Sequence, residues 1–589
     1  MGVHEDLLAY LVRRLLENGA NSSFVNRFLD ERYPVEEVVT DPMAAVRALD
    51  QLPHPDIALP ADLYAPRRNS RSLDLNAAAD TDRVLAAFAG LEGTRFEAGP
   101  VIGGRTREGT AREILDPSDH RRSVGVVHDT DEAGLEAAVS TARAAQPDWD
   151  RRGGEARAQV LEAVADLYEA NLERLMYLAV REAGKTLDDA LAEVREAVDF
   201  CRYYAGRGRE LFGAPVDLPG PTGESNQLML EGRGVFAAIS PWNFPLAIFT
   251  GQVTGALMAG NAVLAKPAEQ TCLIAAEAVK LMHEAGVPGD VLHLLPGDGP
   301  SVGAPLVAHP GIDGVVFTGS IDTARAIRMS IAEREGPMIP LIAETGGLNA
   351  MFVDSSALLE AVTDDVIRSA FGSAGQRCSA LRILYLQSDV YDHALDLIRG
   401  AMDELVVGDP IHLQTDVGPV IDADARDMLR EHVEAMTAAG HPGHAVPLPE
   451  GAEQGTFIPP TLFEVPDLEA VGGEKFGPIL HVRRFDEEDL EACMDEVAAS
   501  RFGLTLGIHS RIDRRSRWIA EKLPVGNAYV NRNMTGAIVG SQPFGGRGLS
   551  GTGPKAGGPH YLLAFATERS VTVNTAASGG NAELLRLIR

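Results

Sequence analysis

The chain has 589 residues and a formal net charge of −31, with 45% hydrophobic and 23% charged residues. This length supports two or more domains with their own cores, and the composition is ordinary for a soluble globular protein. The negative charge argues against nucleic-acid binding, because phosphates would be repelled. No apolar run approaches the roughly 20 residues of a membrane helix, and the N-terminus lacks the basic region of a signal peptide.

The first 95 residues are predicted to form a helical segment and a linker. Residues 5–18 predict a helix that ends at Gly19, and residues 50–75 are rich in proline and polar residues. Farther along, residues 155–210 carry apolar positions at i, i+3 and i+4, which predicts a helical region.

From residue 235 onward, short apolar strands alternate with helices. The expected strand–helix pairs are 235–239 with 246–258, 262–265 with 273–283, 291–294 with 302–308, and 315–317 with 324–331, before a last strand at 339–343. This alternation predicts an α/β fold with a parallel sheet covered by helices on both faces. Ligands of such sheets bind beyond the carboxyl ends of the strands. A second α/β unit begins near Asn349, so we expect the site between the two units.

The four cysteines are widely spaced and form no C-x-x-C pair; they are Cys201, Cys272, Cys378 and Cys493. This spacing indicates a reducing, cytoplasmic environment and argues against a zinc site. We therefore predict that the protein needs no metal, since no cluster of His, Cys and Asp has ligand spacing either.

Cys378 is the most informative of the four, because it lies in a run of small residues, 371–380 (FGSAGQRCSA). Glu344 precedes it in a second glycine-rich turn, 343–347 (AETGG). A thiol nucleophile and a carboxylate base are what acyl chemistry through a thioester requires. A lone cysteine is more often an inert core residue, so the surrounding motifs decide between the two interpretations.

Seven motifs occur in one order over roughly residues 100–575: 240–245 (SPWNFP), 266–269 (KPAE), 317–320 (FTGS), 344–347 (ETGG), 375–378 (GQRC), 474–478 (EKFGP) and 543–546 (PFGG). Together they resemble the aldehyde dehydrogenase superfamily. The segments 220–226 (GPTGESN), 343–347 and 373–380 are closer still to the glutamate-semialdehyde (pyrroline-5-carboxylate) dehydrogenase part of the bifunctional proline utilisation A flavoenzymes. Leu348 departs from that pattern, which has glutamine at this position.

The resemblance implies a Rossmann-type NAD-binding domain at 96–345, a catalytic domain at 346–535, and a small β flap. Residues 536–589 would carry a substrate-anchor loop, return to the NAD-binding domain and end in a flap strand. In the family, flap strands such as those within 214–233 pair subunits, which implies a homodimer. An ordinary surface hairpin is the alternative interpretation of this segment.

For the cofactor, the turn at 297–303 (GDGPSVG) follows a strand and precedes a helix, but its spacing misses G-x-G-x-x-G. Gly297 and Gly299 are thus equally compatible with a plain turn. A carboxylate such as Glu269 near an adenosine ribose would repel a 2′-phosphate, which favours NAD over NADP. The resemblance assigns Lys266 and Glu269 to that ribose.

The resemblance also assigns Ser320 to the pyrophosphate at a helix N-terminus, and Glu474 with Phe476 to the nicotinamide ribose. A surface carboxylate is the alternative for Glu474. The further cofactor contacts implied by the family motifs are Ser240, Pro241, Trp242, Thr318, Gly319 and Gly346.

In the expected reaction, Cys378 attacks an aldehyde, and the resulting oxyanion needs hydrogen-bond donors placed in advance. The side-chain amide of Asn243 and the backbone N–H of Cys378 can supply them, although an asparagine beside proline is also a common loop cap. Hydride then passes to the nicotinamide. Glu344 deprotonates the water that hydrolyses the thioester.

Substrate recognition is expected at a loop of small residues, 533–540 (NMTGAIVG), whose backbone N–H groups can form a nest for an anion. Without the resemblance, this loop would be interpreted only as a flexible turn. The resemblance places the α-carboxylate on Gly536 and Ala537, with Ser379 as a further donor, and the aliphatic chain between Phe244 and Phe544. Arg377 completes the predicted substrate site.

Residues 10–23 resemble the last helix of a proline dehydrogenase barrel, where paired arginines hold the proline carboxylate. A (β/α)₈ barrel needs on the order of 200 residues, so Arg13 and Arg14 are expected to be solvated charges on a remnant helix. The resemblance therefore implies an NAD-dependent dehydrogenase for glutamate 5-semialdehyde. The alternatives are a dehydrogenase for another carboxylated semialdehyde, or a non-catalytic partner of a separate proline dehydrogenase. The intact Cys378, Glu344 and Asn243 argue against the last of these.

Overall fold

The computed structural model describes residues 28, 32–34, 36, 39, 41–52, 54, 56–574 and 577. The chain divides into two compact units, Met1–Pro66 and Arg67–Arg589. The helix predicted at 5–18, with its two arginines, lies outside the described residues. The domain boundaries expected from the sequence remain predictions.

In the first unit, the described residues include one short helix, Pro42–Arg47. Asp41 begins it, because its carboxylate accepts a hydrogen bond from the N–H of Met43 at 3.0 Å, and a proline suits the first helical position. A single 3₁₀ turn follows at Pro60–Asp62.

A seven-stranded sheet organises the first half of the second unit. Its strands lie in the order Leu341–Thr345, Gly314–Gly319, Val235–Ile239, Ala262–Lys266, Leu292–Leu294, Val101–Ile102 and Arg105–Thr106. The first five are parallel, as the sequence predicts. The last two form an antiparallel edge hairpin that the sequence did not indicate, because two-residue strands leave no periodic pattern.

The helices around this sheet include every helix predicted from the alternation. They are Ala78–Leu91, Glu132–Arg151, Gly153–Ala170, Leu172–Ala183, Leu187–Phe212, Ala247–Met258, Cys272–Glu284, Ala304–Ala308 and Ile321–Glu333. The region predicted to be helical at 155–210 is three helices, of which the second ends at Gly184 in the left-handed conformation (φ 66°). Burial along the whole of Ala262–Lys266 is what a strand covered on both faces requires.

A second seven-stranded sheet begins at Ala350, close to the predicted position. Its order is Gly443–Ala445, Thr461–Glu464, Ile479–Phe485, Ile383–Gln387, Ala350–Val353, Thr505–His509 and Asn527–Val530. All but the first strand are parallel. Its helices are Leu359–Phe371, Tyr391–Asp403, Ala423–Ala438, Leu490–Ala499 and Asp513–Lys522. Each large sheet has its own hydrophobic core.

Three small sheets complete the unit. One pairs Val216–Leu218, Ser225–Gly232 and Ala566–Val573 in antiparallel fashion, so the strands expected within 214–233 and in the C-terminal tail lie side by side outside both large sheets. The others are Phe96–Ala98 with Asp119–Asp129 and Thr110–Asp116, and Phe502–Gly503 with Arg547–Gly548. Among the described helices, none combines the length and apolar character needed to cross a membrane.

Candidate active site

Cys378 lies on a tight loop whose backbone conformation is unusual. Ser373 and Ala374 both have positive φ, at 57° and 52°, and Gly375 follows at 64°. A Cβ atom on Gly375 would lie 2.1 Å from the carbonyl oxygen of Gly477, so this position requires glycine. The run of small residues around Cys378 therefore lets the loop approach a neighbouring segment closely.

Arg382 holds this loop by hydrogen bonds to its backbone carbonyl groups, a role that could not be recognised from the sequence. Its buried guanidinium donates to three carbonyl oxygens, those of Gly375 at 2.8 Å, Arg377 at 3.0 Å and Gly477 at 3.3 Å. It also lies 3.6 Å from the carboxylate of Glu474. A planar group with five N–H donors suits such a hub. The available signal was a single arginine directly before the apolar strand Ile383–Gln387.

Glu344 lies near the end of the strand Leu341–Thr345. Its Oε2 accepts a hydrogen bond from the N–H of Gly546 at 2.8 Å, while its buried Oε1 has no hydrogen-bond partner within the described part of the chain. Burial raises the pKa of Glu344 to about 8, although the Gly546 N–H and the Lys555 ammonium oppose this. A carboxyl group with this pKa can hold or release a proton near neutral pH.

The thiol of Cys378 is half-buried and stands between acidic groups. Burial, followed by the negative charges of Glu474 and Glu344, raises its pKa to about 12, against the lowering effects of the Ser379 N–H and Arg382. The structure thus brings together the predicted nucleophile, the predicted base and Glu474. In this arrangement the thiol is protonated at neutral pH.

Asn243 lies in the loop that follows the strand Val235–Ile239 of the first sheet, and it contacts the loop that carries Cys378, residues 373–378, which we call the nucleophile loop. Its buried amide donates to the carbonyl oxygen of Gln376 at 3.0 Å. An amide has a second N–H, so this contact is compatible with the predicted oxyanion role. Gln376 in turn connects this loop to a neighbouring segment, because its Oε1 accepts a hydrogen bond from the N–H of Ile421 at 2.9 Å.

Several predicted cofactor residues lie at the carboxyl ends of the first sheet. The ammonium of Lys266 is buried, donates to the carbonyl oxygen of Pro267 at 3.1 Å and lies 3.7 Å from the half-exposed carboxylate of Glu269. Ser240 directly follows the strand Val235–Ile239, and Thr318 lies near the end of the neighbouring strand Gly314–Gly319. Gln252 bridges them: its Oε1 accepts from the Ser240 hydroxyl at 2.7 Å, and its amide donates to the Thr318 hydroxyl at 3.0 Å.

Two turns beside them precede helices. Ser320 caps the helix Ile321–Glu333 by accepting a hydrogen bond from the N–H of Thr323 at 3.2 Å, and Gly319 precedes it in the strand. Gly297 has a φ of 146° and leads through Gly299 into the helical turn Gly299–Gly303. These features fit a dinucleotide, because a helix N-terminus suits a pyrophosphate and a carboxylate beside a buried ammonium suits a ribose.

The remaining predicted cofactor residues lie where the two sheets meet. The rings of Trp242, which follows Pro241, and Phe476 are in edge contact, with centroids 5.4 Å apart. Glu474 accepts from the N–H of Gly347 at 3.2 Å. A Cβ atom on Gly346 would lie 1.8 Å from Glu474, so glycine is needed for this approach.

On the predicted substrate side, Phe244 is flanked by two cations. The ammonium of Lys185 lies 4.3 Å and the guanidinium of Arg377 5.6 Å from its ring centroid. Lys185 pairs with Glu193 at 3.2 Å, and Arg377 pairs with Asp189. Lys185 and Asp189 could not be identified from the sequence, because their partners are recognisable only once the long helix Leu187–Phe212 is in place.

The predicted anchor loop is held from behind: the hydroxyl of Tyr529 donates to the carbonyl oxygen of Gly536 at 2.8 Å. Ala537 is half-buried, and Phe544 pairs through its backbone with Ala556. Ser379 is buried, and its carbonyl oxygen accepts from Thr505 at 3.2 Å. The part these residues play in substrate binding remains a prediction.

Leu348, at the position where the family pattern has glutamine, is buried in the hydrophobic core of the second sheet. Its side chain therefore contributes to packing in this chain.

The sequence matches the model of the aldehyde dehydrogenase family over residues 105–571. The chain belongs to the aldehyde dehydrogenase family. Residues 1–27 match a second model, that of proline dehydrogenase.

Among curated proteins, the bifunctional protein PutA of Klebsiella aerogenes is 48% identical over 97% of this chain and 44% of its own length. The chain thus spans less than half of such relatives. The 1-pyrroline-5-carboxylate dehydrogenase of Geobacillus kaustophilus is 35% identical over 87% of this chain and 99% of its own length.

Among solved structures, the chain is similar to the same two kinds of protein. A bifunctional proline utilization A (PutA) protein is 52% identical, with a TM-score of 0.86 over 98% of this chain and 55% of its own. The 1-pyrroline-5-carboxylate dehydrogenase from Thermus, solved with bound NAD, is 33% identical, with a TM-score of 0.82 over 87% of this chain and 99% of its own.

Proposed function

We propose that this chain oxidises L-glutamate 5-semialdehyde, the open form of pyrroline-5-carboxylate, to L-glutamate with NAD. The observation that supports this most directly is that the Cys378 thiol feels the charges of two partly buried carboxyl groups, Glu474 and Glu344. The choice of substrate is supported by the names of the relatives, two of which are pyrroline-5-carboxylate dehydrogenases over nearly their whole length.

The reaction begins when the thiolate form of Cys378, whose proton has passed to a base in the solvent, bonds through its sulfur to the aldehyde carbon. The carbonyl oxygen becomes an oxyanion, which accepts hydrogen bonds from the second N–H of Asn243 and from the backbone N–H of Cys378. Arg382 holds the loop carbonyls in place, so that these donors need not reorganise.

The chemistry that NAD supplies when bound is acceptance of the hydride released as the oxyanion collapses to a thioester. Lys266 and Glu269 hold the adenosine ribose, and Ser320 with its helix N-terminus holds the pyrophosphate. Glu474, steadied by the Gly347 N–H, binds on the nicotinamide side. The cofactor contacts proposed around them are Ser240, Pro241, Trp242, Gly297, Gly299, Thr318, Gly319, Gly346 and Phe476.

Glu344 acts in the second half of the reaction. Its carboxylate takes a proton from a water molecule whose oxygen bonds to the thioester carbon. The carbon–sulfur bond then breaks, the Cys378 sulfur regains a proton, and the acid product leaves. The pKa of about 8 means that a minority of Glu344 is ionised at neutral pH, so this step accelerates as pH rises.

The substrate is an anion at its α-carboxylate, and two cations flank the ring of Phe244 where its chain is proposed to lie. We assign the carboxylate to the backbone N–H groups of Gly536 and Ala537. Ser379, Arg377 and Phe544 complete the proposed substrate site.

The experiment that tests this function compares NADH formation from pyrroline-5-carboxylate and from succinate semialdehyde. We expect a much larger kcat/KM for pyrroline-5-carboxylate. A preference for succinate semialdehyde would indicate another carboxylated semialdehyde as substrate, and no NADH from either would favour the non-catalytic alternative.

The proposal extends to assembly and supply of substrate. The flap strands leave Val216 and Leu218 exposed, and we infer that they join two copies of the chain. The match of residues 1–27 to proline dehydrogenase supports a proline dehydrogenase as the source of substrate, with both activities in the cytoplasm. Sedimentation of the wild type and of Leu218→Asp tests the dimer, since the charged variant should be monomeric.

A further inference from the structure

Lys555 lies beside Glu344 and takes no part in the chemistry proposed above. The two side chains pass on either side of Gly545: a Cβ atom on this glycine would lie 2.9 Å from Glu344 Oε1 and 3.2 Å from Lys555 Cγ. Since glycine has no side chain, residue 545 places no side-chain atom between the carboxyl group and the lysine stem. The stem of Lys555 and the carboxyl group of Glu344 therefore both border the same glycine.

The position of Lys555 is fixed by the same short backbone pairing that holds Glu344. Phe544 and Ala556 exchange two backbone hydrogen bonds, of 3.0 and 2.8 Å, which places Lys555 opposite Gly545. The next residue, Gly546, donates its N–H to Glu344 Oε2. The Lys555 ammonium is tied down at its far end, because it donates to the carbonyl oxygen of Gly526.

Lys555 differs in charge from the other titratable groups that interact with Glu344. The titratable groups that act on Glu344 or respond to it are the Cys378 thiol, the Tyr561 phenol and the Lys555 ammonium. Of these, Lys555 alone is cationic at neutral pH within the described part of the chain. Burial, followed by the charge of Arg547, lowers the pKa of Lys555, against the raising effect of Glu344.

We propose that Lys555 is a positioning residue whose positive charge favours the ionised form of the buried Glu344 carboxyl group, and so helps to set the pH range over which the thioester on Cys378 is hydrolysed. This inference rests on the proposed role of Glu344. The physical reason is that a nearby positive charge stabilises a buried carboxylate, one of whose oxygens has no hydrogen-bond partner within the described residues. Lys555 itself exchanges no proton and touches no reacting atom.

The test uses two neutral variants, Lys555→Met and Lys555→Gln, with Lys555→Arg as the charge-conserving control. Steady-state turnover of pyrroline-5-carboxylate and the pre-steady-state burst of NADH are measured across pH. In the neutral variants the burst should persist, while the midpoint of the steady-state profile should move upward by about one pH unit, which is roughly a tenfold loss of rate at neutral pH. Lys555→Arg should keep the wild-type midpoint.

A merely structural role would lower the rate equally at all pH values or remove the burst, and either result would overturn the proposal, as would an unchanged midpoint in both neutral variants. The same profiles are measured for hydrolysis of p-nitrophenyl acetate, which acylates the thiol without any cofactor. If the wild type made no NADH from pyrroline-5-carboxylate, the proposed substrate would be wrong. The pH profiles of p-nitrophenyl acetate hydrolysis would still show whether Lys555 sets the pH midpoint of thioester hydrolysis.

Discussion

The amide of Asn243 donates a hydrogen bond to the carbonyl oxygen of Gln376 at 3.0 Å, and this contact joins a loop of the first sheet to the nucleophile loop of the second. The amide therefore contacts the chain two residues before Cys378. The oxyanion of the proposed reaction would thus meet a donor that the second sheet already holds in place.

Replacing this amide should slow the chemical step. Asn243→Asp keeps the shape of the side chain and removes the N–H donor, so we expect kcat to fall by about 10²- to 10³-fold. Single-turnover measurement of NADH formation isolates this step, and calorimetric titration with NAD shows whether the cofactor still binds. A wild-type single-turnover rate in the variant would exclude Asn243 as the oxyanion donor.

Cys378→Ala should abolish NADH formation while NAD binding persists, because only the acyl-accepting sulfur is lost. Cys272→Ala is a matched control. Cys272 is buried, its thiol contacts Arg112 at 3.3 Å, and burial raises its pKa to about 12. The control should retain turnover. Activity in Cys378→Ala, or its loss in Cys272→Ala with an intact fold, would contradict the assignment.

Much of this site could be predicted because its parts are local in sequence. Cys378 and Glu344 stand in short glycine-rich turns, and each strand of the parallel sheet is an apolar run followed by a helix. The supporting charges could not be predicted in the same way. Arg377 pairs with Asp189, far away along the chain, and Lys555 meets Glu344 only across Gly545. Such partners are set by tertiary packing and leave no periodic signal.

Glu344→Gln should give one burst of NADH and then stall, because a neutral amide cannot take a proton from water. In the wild type, the folded pKa of about 8 lies above the ordinary glutamate value, so the base is mostly protonated below pH 8 and ionised above it. Steady-state turnover limited by hydrolysis should therefore rise with pH through about 8. Stopped-flow absorbance across pH measures both effects, and loss of the burst itself would mean that Glu344 acts before hydride transfer.

Cofactor choice should depend on Glu269, whose half-exposed carboxylate lies 3.7 Å from the Lys266 ammonium. The wild type should prefer NAD, since a 2′-phosphate would meet this negative charge. Glu269→Gln should narrow the ratio of kcat/KM for NAD over NADP, because Lys266 then faces the phosphate without its partner. An equal kcat/KM for the two cofactors in the wild type would refute the role of Glu269.

The last prediction concerns acid stability and the pair His432 and His481, whose Nε2 atoms lie 3.0 Å apart. His481 also contacts the carbonyl oxygen of Arg382 at 3.0 Å, so the pair lies directly behind the nucleophile loop. One ring nitrogen must donate and the other accept, and a second proton between them would be repelled.

Burial lowers the pKa of His432 to about 4 and that of His481 to about 3. Both values lie below the unfolded value of about 6.5, so the unfolded chain takes up protons first as pH falls. The stability that depends on the neutral pair is therefore complete above about pH 6.5 and is lost as pH falls toward 4 and below. His432→Gln cannot take up this proton and should lose less stability over that range. Guanidinium unfolding of the wild type and of His432→Gln at a series of pH values measures how the free energy of unfolding of each protein changes with pH. Equal slopes for the two proteins would show that the pair contributes nothing to the loss of stability in acid.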